Sequence, residues 1–491
     1  MYKKFCKKNC SLSIISKTIV LLSIIAVNQK VVSQQWIDTL YQIQTEYDIP
    51  YGTAVNFAGK NLTLHMDISY PLNDTAPVCG RPLLVLVHGG AWMAGNKDDP
   101  NIRSMREDFA KRGYTTAAVN YRLGMFHTNQ FVNCNVPDWN CFNMTDTIEW
   151  YRANHRAMQD VNGAIRYLVN NSHLFNINPD NIFIAGESAG GFISMSVAFI
   201  DDMAEVQAQF TGNLPDVPAP NALYEGPCIQ NYNLAPSIDS MNLSRPDLGS
   251  YTGALNFPAN KTYEIKAVGN FYGGIFSNFL SSSQSHIPAL YLHHQQCDLI
   301  VHHNYSRLLS GYVECMLGFP AYCGYIVHRP FAYGSTAIKN LIDDMTASSV
   351  PAPEYFYDFS NNNYNCAQQT DPALTCHAIA GYWLRTSNMA GFFASKIDTC
   401  NTQFVFYNVA PNIQIYPNPA YKHINIQLPD RNQYVKVILT SAEGKIVSNN
   451  DYFNISEVYL PVDNYSDGLY FVTIISNNYS VSKKVLIIGN K

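Results

Sequence analysis

Residues 182–191 read Ile-Phe-Ile-Ala-Gly-Glu-Ser-Ala-Gly-Gly, and this stretch decides the fold. The apolar run 182–185 is typical of a buried strand, and the small residues from Ala189 onward are compatible with the start of a helix. Glycines two positions on either side of Ser188 allow the backbone to turn sharply between the two. In such a turn the serine is strained and its hydroxyl stands exposed above the sheet, so Ser188 is predicted to be a nucleophile.

A second glycine-rich turn, His88-Gly89-Gly90, directly follows the apolar run Leu83 to Val87. Acyl transfer builds negative charge on an oxygen, which preorganised backbone N–H groups can stabilise. Glycine lets the backbone approach such an oxygen closely. A plain turn at a strand end is the alternative interpretation, but the strand, helix and Ser188 that follow favour the functional one.

The sequence around these motifs alternates between strand-like and helix-like segments from about residue 35 to residue 400. This alternation predicts an α/β fold with a largely parallel sheet flanked by helices. The predicted strands are Leu64–Tyr70, Leu83–Val87, Thr115–Tyr121, Ile182–Ala185, Ala267–Phe271, Ala289–Leu292 and Glu354–Phe359, and the predicted helices are Asn154–Leu168, Thr336–Met345 and Ala378–Leu384.

Two stretches interrupt the alternation. Residues 124–150 contain Cys134 and Cys141 and are interpreted as a cross-linked surface loop. Residues 211–262 are rich in Pro, Asn and Ser and show little periodicity. A loop of this length in a compact domain is often a lid or a substrate wall, although a passive insertion is equally compatible with the pattern.

The three motifs at residues 88–90, 120–123 (Asn-Tyr-Arg-Leu) and 186–191, in this order, resemble α/β-hydrolase esterases of the carboxylesterase and hormone-sensitive-lipase-like group. The resemblance covers approximately residues 50–400. It implies a Ser, Asp/Glu, His triad in that chain order. It also implies an oxyanion hole formed by the backbone N–H groups of Gly89, Gly90 and Ala189. The family commonly has a third glycine where this chain has Ala91.

The acidic member of the triad should follow a late strand, and residues 294–301 (His-Gln-Gln-Cys-Asp-Leu-Ile-Val) follow the run 289–292. They resemble the family's His-Gly-x-x-Asp-x-Val-Val loop, with Gln295 in place of the glycine. Asp298 is therefore the predicted orienting acid, and a helix-capping turn aspartate is the alternative. The nearby histidines (His293, His294, His302 and His303) are interpreted as pocket walls or polar loop residues rather than metal ligands.

Two histidines compete for the role of general base. The spacing from Asp298 favours His328, thirty residues later. The order of elements favours His377, because the family places a helix and a final strand between acid and base, and only His377 follows both predicted elements. His377 is therefore the predicted base. Cys366 and Cys376 could tie down the loop that ends at His377.

The last eighty residues differ in character from the rest. Residues 412–491 contain no cysteine and alternate like a small β-sandwich, with strands predicted at 423–427, 434–440, 457–461, 468–475 and 481–488. The opening Tyr-Pro-Asn-Pro, Gly468-Leu469-Tyr470 and the closing Lys-Lys-Val resemble the C-terminal sorting domain of the type IX (Por) secretion system. The resemblance implies passage across a Gram-negative outer membrane and release or surface attachment. An ordinary appended binding module is the alternative. Residues 34–402 are then the catalytic domain and 403–411 a linker.

The N-terminus also predicts export. Basic residues flank the short apolar run Thr18–Val27, and Val31-Val32-Ser33 offers a cleavage pattern, so residues 1–33 are read as a signal peptide. A membrane anchor is the alternative. Outside this segment no uncharged apolar run is long enough to span a bilayer. Removing residues 1–33 takes away six lysines and no acids, which changes the formal net charge from −5 to −11.

Charge and cysteine content narrow the function further. The chain has 32 basic and 37 acidic residues, which excludes a nucleic-acid binder driven by electrostatics. Ten of the twelve cysteines follow the signal segment and none form a CxxC pair, so disulfides in an oxidising compartment are the expected use. The pairing stays open, with three short-loop pairs available: Cys134 with Cys141, Cys315 with Cys323, and Cys366 with Cys376.

Together these patterns predict a secreted serine hydrolase that cleaves carboxylic esters without a metal or organic cofactor. Its partners would be a small-molecule or polymer-linked ester and the secretion machinery. A serine peptidase of the same fold, or a catalytically silent adhesion or binding protein, are the alternatives. A complete triad distinguishes the enzyme from the silent protein, because silent relatives usually lack the serine or its partners.

Overall fold

The structure is a computed structural model that describes residues 35–72, 74, 76–128, 147–206, 225–228, 247–280, 286–311, 329–361, 376–398, 413–442, 445–476 and 480–489. The predicted signal peptide and linker, His328, and the pairs Cys134–Cys141 and Cys315–Cys323 lie outside the described residues. The chain divides into two compact units, Met1–Asp398 and Thr399–Lys491.

The elements of the first unit, in chain order, are β1 (Ile43–Val55), β2 (Asn61–Pro71), β3 (Arg81–Val87), α1 (Pro100–Lys111), β4 (Thr115–Val119), β5 (Met125–Thr128), α2 (Thr147–Asn170), β6 (Ile177–Glu187), α3 (Ala189–Phe199), β7 (Glu225–Cys228), β8 (Ile265–Phe271), β9 (Gly274–Ile275), β10 (Ala289–Gln295), β11 (Tyr305–Arg307), β12 (Phe331–Gly334), α4 (Ser335–Ala347), β13 (Tyr355–Ser360) and α5 (Tyr382–Ala394).

The main sheet of this unit has the strand order β1-β2-β4-β3-β6-β8-β10-β13. The pairings of β1 with β2 and of β2 with β4 are antiparallel, and every pairing from β4 to β13 is parallel. The carboxyl ends of the parallel strands therefore meet at one edge, where the loops after β3, β6, β8 and β10 lie together. This arrangement is the predicted α/β-hydrolase fold.

Both faces of the sheet are buried, which explains why its central strands are continuous apolar runs. In β3, Leu83, Val85 and Val87 belong to the apolar core on one face, and Leu84 and Leu86 belong to the core on the other face. The first core includes apolar side chains of α2 and α3, and the second includes those of α1 and α5. Because successive side chains of a strand point to opposite faces of the sheet, each face packs against its own pair of helices.

Several boundaries differ from the predicted ones. The helix predicted over 154–168 already begins at Thr147, so residues 147–150 are not part of a surface loop. The helix predicted over 378–384 begins only at Tyr382, after a left-handed Gly381. Strand β1 and helix α1 are not among the predicted elements, and β1 is an irregular edge strand with two register shifts. Within the two predicted insertions, β5 and β7 pair antiparallel.

The second unit is a five-stranded antiparallel sheet made of β14 (Gln414–Tyr416), β15 (His423–Ser441), β16 (Ile446–Pro461), β17 (Gly468–Ser476) and β18 (Ser480–Ile487). It has its own apolar core, which includes Ile424, Val437 and Val472. The strands predicted at 423–427 and 434–440 form one strand, β15, with a register shift in its pairing with β16 between Gln427 and Asn432. In the described part of the chain, no helix has the length and apolar content that a membrane crossing requires.

Candidate active site

The turn from β6 to α3 places Ser188 at the carboxyl edge of the sheet. Ser188 has φ 53° and ψ −122°, a conformation that L-residues rarely adopt. The flanking glycines make this turn possible. A Cβ on Gly186 would collide with the backbone of Gly190, and a Cβ on Gly190 would collide with the carbonyl oxygens of Val87 and His88.

The same close approach brings the turn after β3 beside the nucleophile. A Cβ on Gly89 would lie 3.2 Å from the Cβ of Ser188. Ala91 and Ala189 both line the cavity that contains Ser188. Gly89 and Gly90 are thus on the turn that faces Ser188, and Ala189 is the first residue of α3.

Ala91 stands where the resembled family has glycine, and its backbone retains the glycine-like conformation. Gly90, Ala91 and Trp92 have φ values of 97°, 51° and 59°. Two successive non-glycine residues in the left-handed region are costly, and such strain concentrates at functional sites. Backbone hydrogen bonds stabilise this turn, because Met93 and Ala94 both donate their N–H groups to the Gly90 carbonyl oxygen, each at 3.0 Å.

Tyr121, from the motif at residues 120–123, contacts the first two residues of this turn, His88 and Gly89. Its hydroxyl donates to the carbonyl oxygens of His88 and Gly89, both at 3.1 Å, and its ring stacks on the His88 ring with centroids 4.3 Å apart. Burial lowers the pKa of His88 to about 4, against a weaker opposing effect of its hydrogen bond to Gly89. His88 is therefore neutral near pH 7 and keeps an uncharged structural role under the turn.

The structure brings Ser188, His377 and Asp298 into one line. His377 Nε2 lies 2.7 Å from Ser188 Oγ, and His377 Nδ1 lies 2.8 Å from Asp298 Oδ2. Because the carboxylate accepts the Nδ1 proton, Nε2 is free to accept the proton of the serine hydroxyl. The three residues come from three different loops at the carboxyl edge of the sheet.

Asp298 lies in the loop that follows β10, residues 296–301, which we call the acid loop. Its Oδ1 accepts the backbone N–H groups of Ile300 at 2.8 Å and Val301 at 3.0 Å. Burial by itself would raise the pKa of Asp298. The opposing effects of His377 and His294 are larger in sum and lower it to about 2, so the carboxylate is ionised at neutral pH.

His294 lies behind this carboxylate and is fully buried. Its Nε2 donates to the Val301 carbonyl oxygen at 2.8 Å and lies 3.3 Å from Asp298 Oδ2, and its Nδ1 accepts from the Ser335 hydroxyl at 3.0 Å. His293 is also fully buried, and both histidines lie in strand β10 rather than in a polar loop. No group of three or more His, Cys, Asp or Glu side chains among the described residues could hold a metal ion.

His377 lies in a loop that precedes α5, residues 376–381, which we call the base loop. Cys376 forms a disulfide with Cys297 of the acid loop. The suggested pairing of Cys366 with Cys376 is therefore wrong. The partner of Cys376 is 79 residues away in the chain and becomes a neighbour only where the two loops converge.

Tyr272 and Glu187 complete the surroundings of His377, and neither was anticipated as a site residue. The Tyr272 ring packs edge-on against the His377 ring, with centroids 4.6 Å apart. Its hydroxyl donates to Glu187 Oε2 at 2.5 Å, which also accepts from Asn101 Nδ2 at 3.0 Å. Burial, and then the charge of Glu187, raise the pKa of Tyr272 well above its usual value, so it remains a donor. The one available signal was position, since Tyr272 directly follows β8 at the carboxyl edge.

A small apolar cavity of about 20 Å³ opens beside Ser188. Its walls come from both glycine-rich turns, the acid loop, the residues after β11 and the start of α2. The lining residues are Ala91, Trp92, Trp150, Ser188, Ala189, Phe192, Ile300, Val301, Leu308 and Leu309. Apart from the hydroxyl of Ser188, these side chains offer almost entirely apolar surface.

Comparison with known proteins agrees with this architecture. Residues 66–156 and 152–222 match the BD-FAE family, an esterase-like α/β-hydrolase domain. Residues 414–488 match the secretion system C-terminal sorting domain. The chain is 28% identical over 134 residues to venom carboxylesterase-6 of Apis mellifera. The matched segment covers 27% of this chain and only about a fifth (20%) of the length of that protein.

Solved structures similar to this chain include several esterases. Esterase B of Lactobacillus rhamnosis shares 13% identity at a TM-score of 0.35, over 79% of this chain and 96% of that one. Esterase 2 of Thermogutta terrifontis, with butyrate bound, shares 14% identity at a TM-score of 0.36, over 70% of this chain and 93% of that one. A truncated carbohydrate esterase from gut microbiota shares 13% identity at a TM-score of 0.36, over 73% of this chain and 98% of that one. By sequence, the chain is similar to the BD-FAE family within residues 66–222 and to secretion sorting domains within residues 414–488.

Proposed function

We propose that the protein is a secreted carboxylic ester hydrolase that works through a covalent acyl-enzyme on Ser188. The observation that carries this proposal is the line of hydrogen bonds from Ser188 through His377 to Asp298, with distances of 2.7 and 2.8 Å. A strained serine, a histidine of fixed tautomer and a buried ionised carboxylate are the parts that nucleophilic acyl transfer requires.

In the first half of the reaction, Ser188 Oγ attacks the ester carbonyl carbon while its proton passes to His377 Nε2. Nδ1–H of the resulting imidazolium stays on the Asp298 carboxylate, which stabilises the positive charge. The negative charge on the former carbonyl oxygen is accepted by the backbone N–H groups of Gly89, Gly90 and Ala189. The tetrahedral intermediate then collapses, its bond to the alcohol oxygen breaks, and His377 returns the proton to the departing alcohol.

In the second half, His377 Nε2 accepts a proton from water as the water oxygen attacks the acyl carbon. The bond between that carbon and Ser188 Oγ breaks, the carboxylic acid leaves, and the proton returns to Oγ. His377 thus acts as base and acid in turn, and the enzyme ends each cycle unchanged.

The acyl group of the ester would enter the apolar cavity beside Ser188. Since its wall is almost entirely apolar, the cavity favours the apolar end of an acyl group over a charged one, for which it offers few partners. The sorting domain directs the chain to the secretion machinery, and it takes no part in the proposed chemistry.

A substrate panel tests the proposal. Wild type and Ser188→Ala would be compared on p-nitrophenyl esters of increasing acyl length, feruloyl esters and amino-acid anilides. We expect ester hydrolysis by the wild type and a loss of ~10⁴–10⁶ in turnover for Ser188→Ala. A Ser188→Ala protein that keeps more than about a tenth of the activity contradicts a serine nucleophile. Hydrolysis of anilides in preference to esters would instead make the protein a peptidase.

A further inference from the structure

The buried side chain of Gln295 connects the end of β10 to the base loop. Its amide nitrogen Nε2 donates to the carbonyl oxygens of Cys376 at 2.8 Å and Ala378 at 2.9 Å. These are the carbonyl groups on either side of His377. Only 5% of Gln295 is exposed, so the amide has little access to competing water. A primary amide carries two N–H bonds, enough to donate to both carbonyl groups.

The disulfide makes a second connection to the base loop, this time from the acid loop that follows β10. Cys297 is fully buried and precedes Asp298, and Cys376 precedes His377, so each residue of the acid–base pair is next to one half of the same covalent bond. The Cα atoms of the two cysteines lie 5.5 Å apart. The acid and the base are thus linked through a short covalent path as well as through the Gln295 amide.

The base loop needs such support because its residues, 376–381, belong to neither a helix nor a strand. His377 follows a left-handed Cys376, and helix α5 begins only at Tyr382. Loop backbone without ladder or helix hydrogen bonds opens more readily than the elements around it. A general base must nevertheless stay within roughly half an ångström of its working position.

We propose that Gln295 is a positioning residue for His377, and that it shares this role with the Cys297–Cys376 disulfide. The proposal rests on the proposed function. Gln295 acts by fixing the backbone on both sides of His377. Its removal should therefore lower kcat and leave KM unchanged, because the substrate cavity is built from other residues.

The test compares Gln295→Met with Gln296→Met. Methionine is similar in length to glutamine but cannot donate, and Gln296 is the exposed neighbour of Gln295. We expect Gln295→Met to lower kcat about tenfold, because the backbone on each side of His377 loses a hydrogen bond. Gln296→Met should stay within about twofold of the wild type. Gln295→Glu should lose more than Gln295→Met, because a carboxylate repels both carbonyl oxygens.

A double-mutant cycle tests the sharing of the role. Gln295→Met is combined with the pair Cys297→Ala and Cys376→Ala, and kcat is measured for each variant. If either connection alone can hold the base loop, the combined loss exceeds the product of the separate losses. A spectroscopic readout that needs no turnover is the low-field proton resonance of His377 Nδ1–H, identified by its disappearance in His377→Ala. Gln295→Met should shift or broaden it.

An unchanged kcat in Gln295→Met, both alone and with the disulfide removed, would overturn the proposal. A kcat loss that parallels a loss of folded protein, with an unmoved His377 resonance, would show a purely structural role and overturn it too. If the wild type hydrolyses no ester, the proposed function fails, and the His377 resonance still decides whether Gln295 sets the geometry of the acid–base pair.

Discussion

The Asp298 carboxylate and the His377 imidazole lie 2.8 Å apart, and each residue directly follows one cysteine of the disulfide between Cys297 and Cys376. Asp298 and His377 are 79 residues apart in sequence, but the disulfide joins the residues that directly precede them. The covalent connection limits how far the base can drift from the acid, because the path between them is short.

His377→Ala should lose activity as severely as Ser188→Ala, by ~10⁴–10⁶ in kcat, because the hydroxyl is then left without a proton acceptor. The double variant should be scarcely worse than either single one, since the members of a triad act as a unit. His328→Ala should lose less than about tenfold and serves as the control. Steady-state kinetics on a p-nitrophenyl ester measures all four variants, and an inactive His328→Ala with an active His377→Ala would contradict the assignment of the base.

Gly190→Ala should destabilise the protein by roughly 1–3 kcal/mol or more, because the new methyl group would collide with the carbonyl oxygens of Val87 and His88. Gly391 is also a helical glycine, but a Cβ there meets nothing within 4 Å. Gly391→Ala should therefore be neutral or stabilising by about 0.5–1 kcal/mol. Urea unfolding of the two variants decides the matter, and equal stabilities would contradict the close packing at Gly190.

Leu308→Ala should widen the cavity beside Ser188 and favour longer acyl chains. Since a methylene in an apolar pocket is worth about 1–3 kcal/mol, the ratio of kcat/KM for a long against a short acyl ester should rise tenfold or more. Leu384 is 57% exposed in α5, so Leu384→Ala is a matched control that should leave the ratio unchanged. An unaltered chain-length profile in Leu308→Ala would mean that the acyl group binds elsewhere.

Folding stability should fall as the pH drops from about 6.5 toward 4. Mainly because of burial, the pKa values of His88, His155 and His293 are lowered from 6.5 to about 4. Between these values the unfolded chain binds more protons than the folded one, so stability is complete above about pH 6.5 and is lost on acidification. Thermal unfolding across this range measures the slope.

His155→Gln should flatten that slope. Burial is the main cause of its low pKa, and the nearby guanidinium groups of Arg156, Arg122 and Arg152 add to the effect. His173→Gln is the control, because His173 is an exposed histidine on the surface. If both variants keep the wild-type pH dependence of stability, His155 does not cause the loss of stability on acidification.

A chain that ends at Asn408 should hydrolyse esters within about twofold of the full-length protein, because the two units have separate apolar cores. The same truncated chain should fail to leave the cell through the sorting pathway. Comparing kcat/KM in vitro with the amount of protein in the culture medium tests both statements. A folded but inactive truncated chain would show that the second unit contributes to substrate binding.

The sequence alone was sufficient for the parts of the fold that depend on neighbouring residues. A buried strand needs a continuous apolar run, as at Leu83–Val87, and a sharp strand-to-helix turn needs glycines at fixed offsets from Ser188. These are local steric requirements, so they are visible in consecutive residues. The order of helix and strand between Asp298 and His377 was also visible, and the structure brings these two residues together with Ser188.

The connections that hold the site together depended on the tertiary structure. The pairing of Cys297 with Cys376, the hydrogen bonds of Gln295 to both sides of His377, and the contact of Tyr272 with the same ring join segments far apart in the chain. Nothing in the sequence near Cys376 distinguishes Cys297 from a closer cysteine such as Cys366. The choice is made where parallel strands end at one edge of the sheet and their loops converge, because only there do these side chains come within bonding distance.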